Sequence, residues 1–176
     1  IFYAGVFSLS HAPRRIFLTI WMGALLASLG VTFYDLKMCD DLRITQIDVG
    51  QGDATLIQTR TKNILIDTGG HRFFDLAEMV LTPFLRHQWV SRLDAVVITH
   101  ADLDHYGALR GLIDVVSVKE IWAGSMTLTD QALAGILDRA VRKGIVVREI
   151  GMSDRIQLDE KTQFTVLWPR VNASNL

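Results

Sequence analysis

With one cysteine, Cys39, the chain cannot form an internal disulfide, although the redox compartment stays open. Three prolines, no internal repeat and no low-complexity tract exclude a linker-like or solenoid chain. Charge of one sign is missing too. The net charge is −1, and from Arg43 onward 15 basic residues face 16 acidic ones, so any role on nucleic acid must rest on a local site rather than a bulk positive field. No histidine follows His105. The n-region and cleavage pattern of a signal peptide are absent, and a start at Ile1 is expected of an excised piece of something longer. What is present, 49% hydrophobic and 21% charged residues, suffices for one domain with a core and a short appendage.

The appendage is the uncharged run from Ile16 to Tyr34, "IFLTIWMGALLASLGVTFY". At about 1.5 Å per residue it reaches roughly 29 Å, which predicts a transmembrane helix over 16–34 within a membrane segment 1–41. The alternative is a buried helix of a soluble protein. Gly23 with Ala27, and Ala24 with Ser28, recur four apart and suit close approach of other membrane helices, while Trp21, Phe33 and Tyr34 add aromatic weight near the ends. Arg14 and Arg15 precede the run, and Lys37 among Asp35, Asp40 and Asp41 follows it, so the N-terminal flank is expected in the cytoplasm and the rest of the chain outside. Residues 1–9 read as the end of an earlier helix, and Cys39 as an idle thiol.

From Arg43 the pattern becomes short runs rich in β-branched residues. "RITQIDV", "DATLIQT" and "NILIDT" predict consecutive hairpins turned at "GQG" and "RTKN". A helix is expected over about Asp75 to Trp89, a strand at "DAVVIT", and a helix from Tyr106 to about Val115. Next come a strand at "VKEIWA", a helix in "TDQALAGILDRAVRKG" with Thr129 as N-cap and Gly144 as stop, and a strand at "IVVREI". "RIQLD" and "TQFTVLW" are the last strand candidates. Hairpins followed by alternating helices and strands predict an α/β sandwich with a mixed sheet over 42–176.

Chemistry concentrates in "THADLDHYGAL", directly after an apolar strand. A strand ending at His100 delivers side chains from a rigid edge into a cleft. His100, Asp102, Asp104 and His105 are metal-binding residue types, and two like-charged carboxylates so close call for a cation between them. His11, His71 and His87 are isolated and read as ordinary hydrogen-bonded histidines. Gly50 and Gly52 suit a tight turn, with Gln51 and Asp53 bordering the site.

"HADLDH" resembles the HxHxDH metal motif of the metallo-β-lactamase fold, with Asp102 where the middle histidine stands. With "DVGQGDA", "ILIDTGG", "PFLR" and "LDAVVITH" in that order after a hydrophobic helix, most of 16–169 resembles the soluble domain of ComEC-type DNA-uptake channel proteins. The resemblance implies a partial αββα sandwich preceded by a transmembrane helix. It implies a bacterial inner-membrane channel that works with other competence proteins, and an extracytoplasmic hydrolase domain that degrades DNA. It also implies two divalent ions, manganese or zinc with magnesium as a third choice. His100 and Asp102 would bind the first ion, Asp104 and His105 the second, with Asp104 and His105 catalytic and Asp67 supporting a ligand histidine from behind. Asp102 hardens the site away from zinc; Tyr106 and Ala108 depart mildly from the family's commoner Ile and Gly.

Metallo-β-lactamase folds take further ligands from their second half, and no histidine follows His105. The expectation is therefore the N-terminal part of such a domain, with little activity alone and an apolar sheet face left uncovered. Two other classes are compatible with the motifs: a small-molecule ester or phosphodiester metallohydrolase, and a non-catalytic remnant.

Overall fold

In the computed structural model the chain forms two units, Ile1–Cys39 and Asp40–Leu176. Residues 11–38 and 42–167 are described, with side chains at 16–32 and 42–167. The first unit contains α1 (His11–Met38). Its large apolar side chains from Ile16 to Val31 are 53–65% exposed, and the hydroxyls of Thr19 and Thr32 donate back to the carbonyls of Ile16 and Ser28. Among the described residues no helix is long and apolar enough to cross a membrane. Helix α1 runs continuously through the expected span over 16–34, whose last two side chains, Phe33 and Tyr34, lie outside the described residues. Cys39, residues 1–9 and the side chains of Arg14, Arg15, Asp35 and Lys37 lie outside the described residues.

In the second unit β1 (Leu42–Gln46), β2 (Thr55–Thr59), β3 (Asn63–Ile66), β4 (Arg92–Ile98), β5 (Ser117–Ala123) and β6 (Val146–Glu149) form one sheet in that order. The first three strands run antiparallel as hairpins; β3 to β6 are parallel, so the sheet is mixed as expected. Strand β4 is buried from Leu93 to Ile98 because both of its neighbours are parallel and both faces are covered, which is why its sequence is nearly continuous apolar.

Val96 and Ile98 of β4 point to one face, where Leu65 and Ile121 meet Leu81, Leu85, Leu109, Leu112 and Leu133 from the helices. Those helices are a π-helical turn (Ala77–Leu81), α2 (Thr82–His87), α4 (Leu109–Val115) and α6 (Gln131–Arg142), with two single turns, α3 (Leu103–Tyr106) and α5 (Ser125–Leu128). Asp114 of α4 takes Arg139 at 2.9 Å and Lys143 at 2.8 Å, tying α4 to α6. On the opposite face Ala95, Val97, Ile64 and Trp122 pack with Ile156, Leu158, Phe164 and Val166. The last four belong to or adjoin the antiparallel pair β7 (Arg155–Gln157) and β8 (Gln163–Thr165). This corrects the expected bare face, since the small second sheet caps its centre.

Three further expectations change. The helix expected over 75–89 is a π-helical turn, Ala77–Leu81, continued by α2, with Pro83 in its first turn. The helix expected from Tyr106 is divided into α3 and α4 around Gly107 and Ala108. The N-cap of α6 is Asp130, whose carboxylate accepts from the Ala132 amide at 2.8 Å, and not Thr129, whose hydroxyl donates to the Ser125 and Met126 carbonyls at the end of α5. Gly144 follows α6 at φ +80°, the left-handed stop its position predicts.

Candidate metal centre

Strands β3 and β4 end side by side, and the amide of Asp67 extends their ladder by donating to the Val97 carbonyl at 2.8 Å. Past that bond Asp67 turns at φ +57° and its side chain, 4% exposed, points under the loop that follows β4. Its Oδ1 accepts from the Thr99 amide at 2.8 Å and its Oδ2 from the Thr99 hydroxyl at 2.7 Å. The same Oδ2 lies 2.9 Å from His105 Nδ1.

These contacts fix both imidazoles. A carboxylate only accepts, so His105 Nδ1 carries a proton and donates it to Asp67. The single hydroxyl proton of Thr99 goes to Asp67, so His100 Nδ1, 2.9 Å from that oxygen, must donate to it. In the neutral rings each Nε2 is then a lone pair, and each faces a carboxylate. His100 Nε2 stands 3.3 Å from Asp102 Oδ2, and His105 Nε2 stands 4.0 Å from Asp104 Oδ2. The ring centroids are 3.8 Å apart. Lone pair against carboxylate is repulsive unless a cation or a proton lies between, so the donor set suits a divalent ion in kind. Protonation is the competitor. Burial alone lowers the His105 pKa, but the hydrogen bond and charge of Asp67, with the charges of Asp104 and Asp53, outweigh it and hold His105 above the ordinary histidine value.

Among the described residues no group of three or more His, Cys, Asp or Glu side chains is placed to hold one ion. The cluster offers donors in twos, His100 with Asp102 and His105 with Asp104. Asp102 and Asp104 are 73% and 40% exposed, which leaves their oxygens open to solvent and further ligands.

The loop is seated by backbone contact. The Asp53 amide donates to the Asp104 carbonyl at 3.3 Å, and the Gly69 amide to the Asp53 carbonyl at 2.8 Å. Gly52, at φ +100°, presses on the Asp104 carbonyl so closely that a Cβ would overlap it. Gly70 and Gly107 meet backbone to backbone beside Leu103, and a side chain on either would separate the β3 loop from α3. Asp53 thus borders the cluster through its backbone and charge, and Gln51 is an exposed residue of the turn that leads to it. Thr99 was not singled out from the sequence, nor was Thr68, whose amide and hydroxyl both donate to the His105 carbonyl. A hydroxyl residue directly after a buried strand was the available signal.

Residues 47–125 match the metallo-beta-lactamase superfamily, whose members generally hold divalent metals such as zinc. The chain is 31% identical over 140 residues to ComE operon protein 3 of Bacillus subtilis (strain 168), covering 72% of this chain and 18% of that protein. It is 27% identical over 155 residues to Competence protein ComA of Neisseria gonorrhoeae, covering 88% of this chain and 22% of that protein. The chain spans about a fifth of the length of these curated relatives. The solved chemotaxis sensor ODP, a peroxy diiron species, shares the fold at a TM-score of 0.50 and 20% identity, covering 70% of this chain and 47% of ODP. The superfamily match over residues 47–125 and the similarity to two competence proteins agree: the chain carries a metallo-β-lactamase superfamily domain of the kind found in ComEC-type competence proteins.

Proposed function

We propose that residues 42–167 form one wall of a metal-dependent phosphodiesterase site that hydrolyses DNA during its uptake by a competence protein. The observation that carries the reading is the pair of imidazoles whose Nδ1 atoms are tied down and whose Nε2 atoms face carboxylates. His100 and Asp102 would hold one ion, Asp104 and His105 another. The chemistry such ions supply is activation of water at neutral pH and neutralisation of phosphate charge. The protein's part is preparation: Asp67 orients His105 and Thr99, Thr99 sets the tautomer of His100, and the oxygen of Asp102 moves metal preference from zinc towards manganese or magnesium.

Further donors from outside the described residues complete the site in this reading, because in-line attack needs ions held in fixed geometry. A position at the bacterial cell membrane, with the domain on its outer side and other membrane helices and competence proteins as neighbours, belongs to the same proposal. Its support is the apolar surface of α1 and the similarity to competence proteins.

The test uses the product of the full reading frame around this chain, incubated with single-stranded and duplex DNA in Mn²⁺, Mg²⁺ or Zn²⁺. Cleavage by that product, lost in Asp104→Ala and nearly absent from the 176-residue chain alone, is expected. Hydrolysis of small phosphate esters or lactones without cleavage of DNA would replace the nuclease reading with that of a small-molecule hydrolase.

A further inference from the structure

Large apolar side chains stand exposed on two segments that adjoin the loop of the cluster, where a soluble surface normally places polar ones. Phe73 is 84% and Phe74 56% exposed, and Met126 is 80% exposed. Two contacts place these segments. The loop carrying Phe73 and Phe74 departs from Gly70, which packs on Leu103 and Gly107. The turn carrying Met126 is fastened to the site by the Thr127 hydroxyl, which donates to the Thr99 carbonyl at 3.4 Å.

The loop 71–74 is ordered by its own rings. His71 stacks on Phe74 with centroids 4.7 Å apart and planes at 30°, and lies 5.8 Å from Phe73. The Phe73 amide donates to His71 Nδ1 at 3.2 Å. Three rings within four residues therefore present faces and edges to solvent beside a cluster bordered by Asp53, Asp102 and Asp104. Within the loop the one cation is Arg72. A polyanion approaching carboxylates gains little from a single guanidinium, so its binding must draw on another contact. Ring faces supply one that ignores charge, because every nucleobase has a π-face, and single strands expose those faces while duplexes bury them.

We propose that His71, Phe73 and Phe74 are a stacking platform for the bases of single-stranded nucleic acid approaching the cluster. The proposal rests on the reading that the cluster acts on nucleic acid, and it adds the residues that select the single-stranded form. Arg72 meets a phosphate while the neighbouring rings take bases.

Fluorescence anisotropy of the whole chain decides it, using a labelled oligothymidylate and an abasic oligonucleotide of equal length and phosphate count, each in Mn²⁺ and in EDTA. The thymidylate is expected to bind about tenfold more tightly than the abasic strand. In the Phe73→Ala/Phe74→Ala variant that gap closes, while Phe73→Tyr/Phe74→Tyr keeps it. Both changes are at exposed positions, and unchanged thermal unfolding verifies the fold. Equal binding of the two oligonucleotides, no measurable binding of either, or a gap that survives the alanine variant overturns the platform; the last outcome assigns the exposed rings to contact with another protein segment. Manganese dependence is read separately: a gap that persists in Mn²⁺ and in EDTA, with no strengthening by Mn²⁺, upholds the platform and removes the metal reading.

Discussion

Asp67 serves three donors from one buried carboxylate, so its charge and its shape are separable by substitution. Asp67→Asn keeps the shape but removes the charge and turns an NH2 towards at least one of these donors. Metal affinity of the cluster is expected to fall about 10- to 100-fold, as for other partners that orient a ligand histidine, with a stability loss of about 1–3 kcal/mol. Metal titration and urea unfolding of the variant measure both. The raised pKa of His105 carries a sign for each state. In the metal-free chain protonated His105 is favoured by folding, so its contribution to stability is complete below the ordinary histidine value and fades as pH rises through the raised one. Metal needs the deprotonated ring, so apparent affinity weakens as pH falls through that same raised value. NMR titration of the His105 ring, with and without metal, follows the two; a pKa at or below the ordinary histidine value in the metal-free chain would remove both effects.

Elements hold the cluster by close backbone approach, and this is where single side chains cost most. Gly52→Ala places a methyl against the Asp104 carbonyl at a positive φ, so it should destabilise by about 1–3 kcal/mol and loosen metal uptake together. On the far face Trp122 lies 6.0 Å from Phe164 and joins the main sheet to β7 and β8. Trp122→Ala should cost about 3–5 kcal/mol in urea unfolding while leaving the loop of Asp67, Thr99 and His105 assembled. Much at this scale was readable in the sequence. The β-branched runs located every strand of the main sheet, because burial on one or both faces imposes its period on the chain. The break at Gly107 and the cap at Asp130 were not readable. Gly107 is explained by the backbone of Gly70, distant in sequence, and Thr129 is occupied by a short turn, α5, that no periodicity announces. For the site, "HADLDH" and "ILID" named the residues that the structure brings together. The clamp through Thr99 was hidden, since it depends on which residue of β3 ends beside which residue of β4.

At the scale of the whole second unit, helices α2 to α6, the mixed sheet and the small β7–β8 pair form an α/β arrangement. Its site edge holds two histidine–carboxylate pairs. The account turns on whether those pairs take up metal together, because the proposed hydrolysis depends on carboxylates facing Nε2 lone pairs whose tautomers are set at Nδ1 by Asp67 and Thr99. Calorimetric titration of Mn²⁺ and Zn²⁺ into the chain, beside its His100→Ala/His105→Ala variant, measures this directly. Weak but definite uptake by the parent chain that disappears in the variant is the predicted result; equal uptake by both proteins would contradict the account.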